Sequence, residues 1–226
     1  MKRLIFSIVA VLLTAACAKD DVLLRNEQDL VLVVDGKLLT DNGLTFTVVQ
    51  DDSDAGWEGW QRALVTCDVL RKTSDTGYEV RLTAAQRVLL KDAVEEGELS
   101  DEEMGDDPID IVSGWIAGDY LNLLTRVVFD PDSDQAHFIN LVWLGEEDGV
   151  LRFRLRHNSF GYYFGAPDVV PPLVLGSSLV TFPVGRFLPE GAQAAEAEVI
   201  WKWHVSAEGS LAPETQERSA RFILRK

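Results

Sequence analysis

The sequence predicts an all-β protein: an N-terminal OB-like barrel followed by a C-terminal antiparallel β-sandwich. Three observations carry this expectation. The apolar residues from Leu30 onward come in short β-branched runs, broken by Asp35-Gly36 and Asn42-Gly43, the chemistry of tight hairpin turns. No span carries a sustained apolar stripe at helical spacing. The acidic run from Glu95 to Glu103 has too little apolar surface to order itself, so it reads as a boundary between two β units.

The elements follow in order. Lys2 and Arg3 precede an apolar stretch over 4–13 and the exit Thr14-Ala15-Ala16-Cys17. That pattern is a secretory leader, too short to span a bilayer. It resembles a bacterial lipoprotein box, so residues 1–16 are expected to be removed and Cys17 to receive lipid. Ala18-Lys19-Asp20-Asp21 is similar to the signal that sends such lipoproteins to the outer cell surface, and 17–28 reads as the tether. Cys67 then remains the single unmodified cysteine, expected as a small buried hydrophobe.

Strands are expected at 30–34, 44–48, 63–70 and 78–82, with mixed periodicity over 83–91. Together these make a barrel over 29–92. An acidic linker is expected at 93–107. The sandwich follows over 108–226, with strands near 109–115, 138–144, 150–157, 173–183, 197–205 and 220–224. In 150–157 the alternation is clean: Leu151, Phe153, Leu155 and His157 share one face, and Arg152, Arg154 and Arg156 the other.

The formal charge is −16, and it is more negative still once Lys2 and Arg3 leave with the leader. Such a surface repels phosphate backbones, which argues against a nucleic-acid partner and leaves membrane attachment to acyl chains on Cys17. No nucleophile elbow, phosphate-binding glycine loop or paired-histidine metal motif is present, so no catalytic residue, metal or cofactor is assigned. Of the three histidines, His157 lies on an apolar strand face and His204 on the polar face of its strand, which argues against convergence with His137 on one ion. Arg152, Arg154 and Arg156 are candidates for contact with an acidic partner, weighed against pairing with the protein's own carboxylates. Tyr162, Tyr163 and Phe164, between Gly161 and Gly165, are the candidate exposed contact loop. Trp201 and Trp203 alternate with Val199 as core residues do.

Four ordered segments resemble the NigD-like family, lipoproteins of Bacteroidetes-type bacteria. They are Gly105-Asp106-Asp107-Pro108; Trp115 with Gly118-Asp119-Tyr120-Leu121-Asn122; His137 with Ile139-Asn140-Leu141; and Leu155-Arg156-His157-Asn158 followed by Gly161. The family pattern places an acid after that glycine, where this chain has Tyr162. The resemblance implies a barrel followed by a sandwich, and it implies no reaction. Asp107, Pro108, Trp115, Tyr120, Asn122, His137, Asn140, Arg156, His157 and Asn158 are accordingly expected to be structural. The function expected is a lipid-anchored, non-enzymatic binding or accessory protein at the outer membrane, with an unidentified protein or glycan partner. A bacteriocin-associated or immunity factor is the alternative, and a glycan hydrolase using His157 and Asn158 a second one.

Overall fold

The computed structural model describes residues 22–166, 172–204 and 214–225. The leader, Cys17 and the surface signal lie outside those residues. The first unit is built from β1 (Leu24–Val34), β2 (Lys37–Thr40), β3 (Thr45–Asp51), β4 (Arg62–Lys72) and β5 (Gly77–Arg87). They close a barrel in the order β1-β2-β3-β5-β4, with β3 and β5 parallel and the other pairs antiparallel. Asp35 and Gly36 both hold positive φ, 49° and 73°, the backbone that a two-residue hairpin needs between β1 and β2. Alternate residues of β4, namely Ala63, Val65, Cys67 and Val69, face the interior with Val31, Leu38, Phe46, Val80 and Leu82. Trp57 joins that core, its indole N–H donating to Asp51 Oδ2 at 2.8 Å.

Cys67 is fully buried, as the sequence leads one to expect. Burial, reinforced by the Asp29, Glu27 and Asp68 carboxylates, pushes its thiol up to about 12. The thiolate is the reactive form, so the native thiol is expected to react with iodoacetamide at least about a hundredfold more slowly than in urea. Mass spectrometry of a chain carrying Cys17→Ser checks this, and comparable rates in both conditions would refute it.

The second unit contains β6 (Leu89–Leu90), β7 (Val94–Glu95), helix α1 (Asp101–Met104), β8 (Asp110–Ala117), β9 (Tyr120–Phe129), β10 (Phe138–Glu147), β11 (Val150–Asn158), β12 (Val174–Pro183), β13 (Ala194–His204) and β14 (Thr215–Arg225). One sheet runs β14-β13-β11-β10-β7 and the other β6-β12-β9-β8. Leu121, Leu123, Val180 and Phe182 of one sheet share a core with Leu141, Leu151, Phe153, Val199 and Trp201 of the other. Burial of each such side chain contributes about 1.5–3 kcal/mol. The sandwich is mixed rather than purely antiparallel, because β11–β13, β10–β7 and β12–β6 pair in parallel.

The segment expected to be an acidic linker is ordered. The barrel hands over at Val88, whose N–H donates to Arg62 O at 3.0 Å, and β6 already belongs to the sandwich. The chain then crosses from one sheet to the other, pairing Leu89-Leu90 with Val180-Thr181 and Val94-Glu95 with Val142-Trp143. Ser100 and Glu103 form a reciprocal capping box on α1. Composition suggested solvation here; pairing with neighbouring strands and the segment's own capping box supply the order.

Candidate functional site

Three assemblies gather the residues singled out by sequence, and the first is the seam between the two units. Arg62, at the start of β4, is fully buried. Its guanidinium meets Asp41 bidentately at 2.5 and 2.6 Å and donates to Asn122 Oδ1 at 3.1 Å. The Tyr120 ring lies 4.8 Å from it. Asn122 Oδ1 also accepts from the Thr181 hydroxyl at 2.8 Å, and Gly118 at φ 54° packs on the Asp41 carbonyl. The Gly118–Asn122 motif therefore docks the sandwich on the barrel. A cleft of about 420 Å³ opens beside it, with Trp115, Leu124 and Leu179 facing Leu30, Leu64 and Asp29. Burial, with help from Glu27 and Asp41, raises the Asp29 carboxyl above its ordinary value.

The second assembly ties the acidic segment to the end of β11. Asp107 N–H donates to His157 O at 2.9 Å, while the Asp107 carboxylate accepts from Ser159 N–H and Oγ at 2.8 and 2.6 Å. Arg156 Nε donates to Gly105 O at 2.6 Å, and the Asn158 amide donates to Glu102 O and Glu103 O at 3.0 and 3.2 Å. His157 has no exposed surface, and its Nδ1 lies 3.0 Å from Pro108 O. A carbonyl only accepts, so Nδ1 carries the proton and Nε2 accepts from His137 Nδ1–H at 3.1 Å. Burial first, then the neighbouring His137, pushes His157 down to about 4. His137 is also lowered by burial. Asn140 Oδ1 accepts from Lys91 Nζ at 2.5 Å, holding the crossing chain between β6 and β7. His157, buried and bonded through both ring nitrogens, presents no atom to a substrate.

The arginine stripe is paired within the chain. Arg152 contacts Glu147 and lies 3.5 Å from Glu198, Arg154 meets Glu217 at 2.9 Å, and Arg156 meets Asp101 at 3.2 Å. Arg152 takes Glu147 from the adjacent hairpin strand, as a local pairing would, whereas Glu198, Glu217 and Asp101 come from elements distant in sequence. Of the two readings of the stripe, an acidic partner or the protein's own carboxylates, these contacts favour the second. The Tyr162–Phe164 loop is only partly exposed. Tyr162 turns inward, its ring parallel to His137 (8°) at 6.5 Å, and Phe164 sits 6.0 Å from His204. His204 is buried rather than on a polar face, its ring beside Trp203 and Phe164. Among the described residues no three metal-ligating side chains are grouped.

The third assembly is a groove, and sequence reasoning missed most of it. The crossing chain covers two residues of β12 and two of β10, leaving the sandwich open on that side. There a cavity of about 340 Å³ is walled by Leu89, Val127, Phe129, Ile139 and Tyr162, with His137 at its side and Asp130, Ser133 and Gln135 on the rim. The Phe129 ring lies over Gly176, where a Cβ would meet it at 2.5 Å. An apolar pocket with a few convergent polar groups is where ligands bind. Phe138 and Phe160, both well exposed, stack edge to face at 5.2 Å on a strand and loop that also supply groove residues. The two-residue pairing of β6 and β7 is the feature that creates the groove, and no local sequence pattern signals it.

Comparison with solved structures finds the same architecture. A crystal structure of a "NigD-like immunity protein" from Bacteroides caccae aligns at TM-score 0.60 and 16% identity, over 86% of this chain and 92% of that one. A "Putative lipoprotein" from Bacteroides fragilis aligns at 0.60 and 12% identity, over 89% and 99%. A "Putative TOXIN related protein" from Parabacteroides distasonis aligns at 0.59 and 21% identity, over 86% and 92%. At these identities the likeness is one of fold. No curated protein matches. Residues 92–209, the crossing strand β7 through β13 with the Gly118–Asn122 side of the seam and the His157 assembly, fit the NigD-like C-terminal beta sandwich domain; the chain belongs to the NigD-like family.

Proposed function

We propose that this chain is a lipid-anchored, non-enzymatic binding or accessory protein of the outer membrane, exposed at the cell surface through acyl chains on Cys17. The observation that carries the reading is the open groove, an apolar cavity with a polar rim at the side of the sandwich. The leader and its cysteine support the anchor, as does the name of the Bacteroides fragilis relative, a lipoprotein. Multiple acyl chains hold firmly, since each buried methylene contributes about 0.8 kcal/mol. Cells fed labelled palmitate are expected to label the wild-type chain and not Cys17→Ser, and added protease is expected to remove it from intact cells. An unlabelled wild-type chain rejects the anchor; a labelled chain resistant to protease rejects surface exposure.

A second reading, a bacteriocin-associated or immunity factor, is favoured by the names of two structural relatives, an immunity protein and a toxin-related protein. Comparing bacteriocin killing of strains with and without the gene tests it. Equal sensitivity removes it.

A further inference from the structure

We infer that the open edge of β12, over Val174–Leu179, is a docking site for an extended segment of a partner protein, which adds to the sheet as a strand beside β12. The inference rests on the binding role proposed above and names the class of partner.

The β12 strand pairs with β9 along its whole length, Val174 to Pro183. On its other side, among the described residues, β6 pairs with Val180 and Thr181 alone. The backbone donors and acceptors that point outward from 174–179 are thus left as a pairing template. Natural sheets guard such edges with charge, proline, bulges or cover. The other edges of this sandwich differ. β10 is likewise covered by β7 only at Val142 and Trp143, but its register breaks between Trp143 and Gly145 and it ends on Glu146 and Glu147. β14 carries Glu217, Arg218, Arg221 and Arg225, while β8 has a register break between Ile111 and Ser113 and closes on β14 where Phe222 packs against Gly114. By contrast Val174-Leu175-Gly176-Ser177-Ser178-Leu179 has no charge, no proline and no register break, and Leu175 is half exposed.

The surroundings suit an incoming strand. Successive side chains of a strand point to opposite faces. On one face lies the groove floored by Phe129, and near the same residues Ser177 and Ser178 a second cavity of about 370 Å³ is lined by Gln61, Gln86 and Arg87. Six edge residues span roughly 20 Å, the length of an ordinary strand. Apolar side chains at alternate positions of the partner would enter the groove, and polar ones would meet the glutamines. The rim loop carries Asp130, Asp132 and Asp134, none of them in an ion pair among the described residues, so a lysine or arginine flanking the partner's strand is favoured. A second copy of this chain is disfavoured on the same ground: it carries −16, and it would bring a second acidic rim against the first.

The test pans a displayed library of random peptides, about ten residues long, against the mature chain. The strongest binder is then synthesised for anisotropy titration and for hydrogen exchange on the chain. The expected peptide has apolar residues at alternate positions with a basic flank. Its binding slows amide exchange within 174–179 by at least about tenfold, and Ser178→Lys, which charges the edge, weakens it by at least about tenfold. Leu175→Lys serves the same purpose should Ser178→Lys fail to fold by circular dichroism. Absence of a binder, a binder without alternation, unchanged exchange at 174–179, or sedimentation showing self-association through that edge would each overturn the inference. Capture of an envelope partner with exchange at 174–179 unaltered overturns strand addition while leaving the binding role standing.

Discussion

Arg62→Ala is expected to destabilise the protein by about 3–5 kcal/mol, the largest effect of any single substitution considered. The guanidinium is completely buried, and removing it strands the Asp41 carboxylate, whose side chain is 7% exposed. It also takes the donor from Asn122 and the cation from beneath Tyr120. Breaking a buried pair costs more than the pair contributes, because the surviving charge keeps its desolvation penalty. Arg62→Met combined with Asp41→Asn is therefore expected to recover most of the loss. Urea unfolding followed by tryptophan fluorescence measures both chains. A loss below about 1 kcal/mol for Arg62→Ala would mean that water reaches the seam and screens the pair.

The second large effect is a pH dependence centred on His157. Its folded value, about 4, lies below the 6.5 of an unperturbed histidine, because the buried ring has no room to carry a charge beside His137. The unfolded chain thus binds more protons than the native one between those values, so stability rises with pH across that window. The contribution is fully present above about pH 6.5 and is lost as the pH falls towards 4. At about 1.4 kcal/mol per unit, the fall amounts to roughly 3 kcal/mol. His137, also lowered, acts in the same direction, whereas the Asp107 carboxylate beside the pair opposes both shifts. Urea midpoints from pH 4 to 7 for wild type and His157→Gln separate this histidine from the carboxylates. Parallel curves for the two proteins would rule His157 out as the source. His157→Gln is expected to lose the steep segment even though it is less stable at neutral pH.

Much of the fold was legible in the residues. The hairpin at Asp35-Gly36 needs positive φ twice, and that requirement is written in two adjacent letters. The alternation of β11 placed Phe153 in the core and the arginines outside, as found. β9 was not legible. Its Asn122, Thr125 and Arg126 interrupt the apolar pattern; Asn122 and Thr125 are buried, with Arg62 and Thr181 donating to Asn122 Oδ1 and the Thr125 hydroxyl donating to the Ser178 carbonyl. The acidic run misled for a related reason: its order comes from Arg156, Asn158 and Ser159, some fifty residues away.

The sequence by itself determined the all-β class, the two units, the candidate lipid anchor and the family, since each depends on local chemistry or on short ordered motifs. Only the tertiary structure decided which charges were spoken for and where the surface stayed open. Arg154 and Arg156 found their acids on distant elements, and Arg152 shares one from its own hairpin with one from β13. The groove exists because two crossing strands, each two residues long, leave the neighbouring edges bare. Pairing across a sheet is a long-range event, and a side chain's partner or an edge's vacancy is set by which strands meet, not by the residues that flank them.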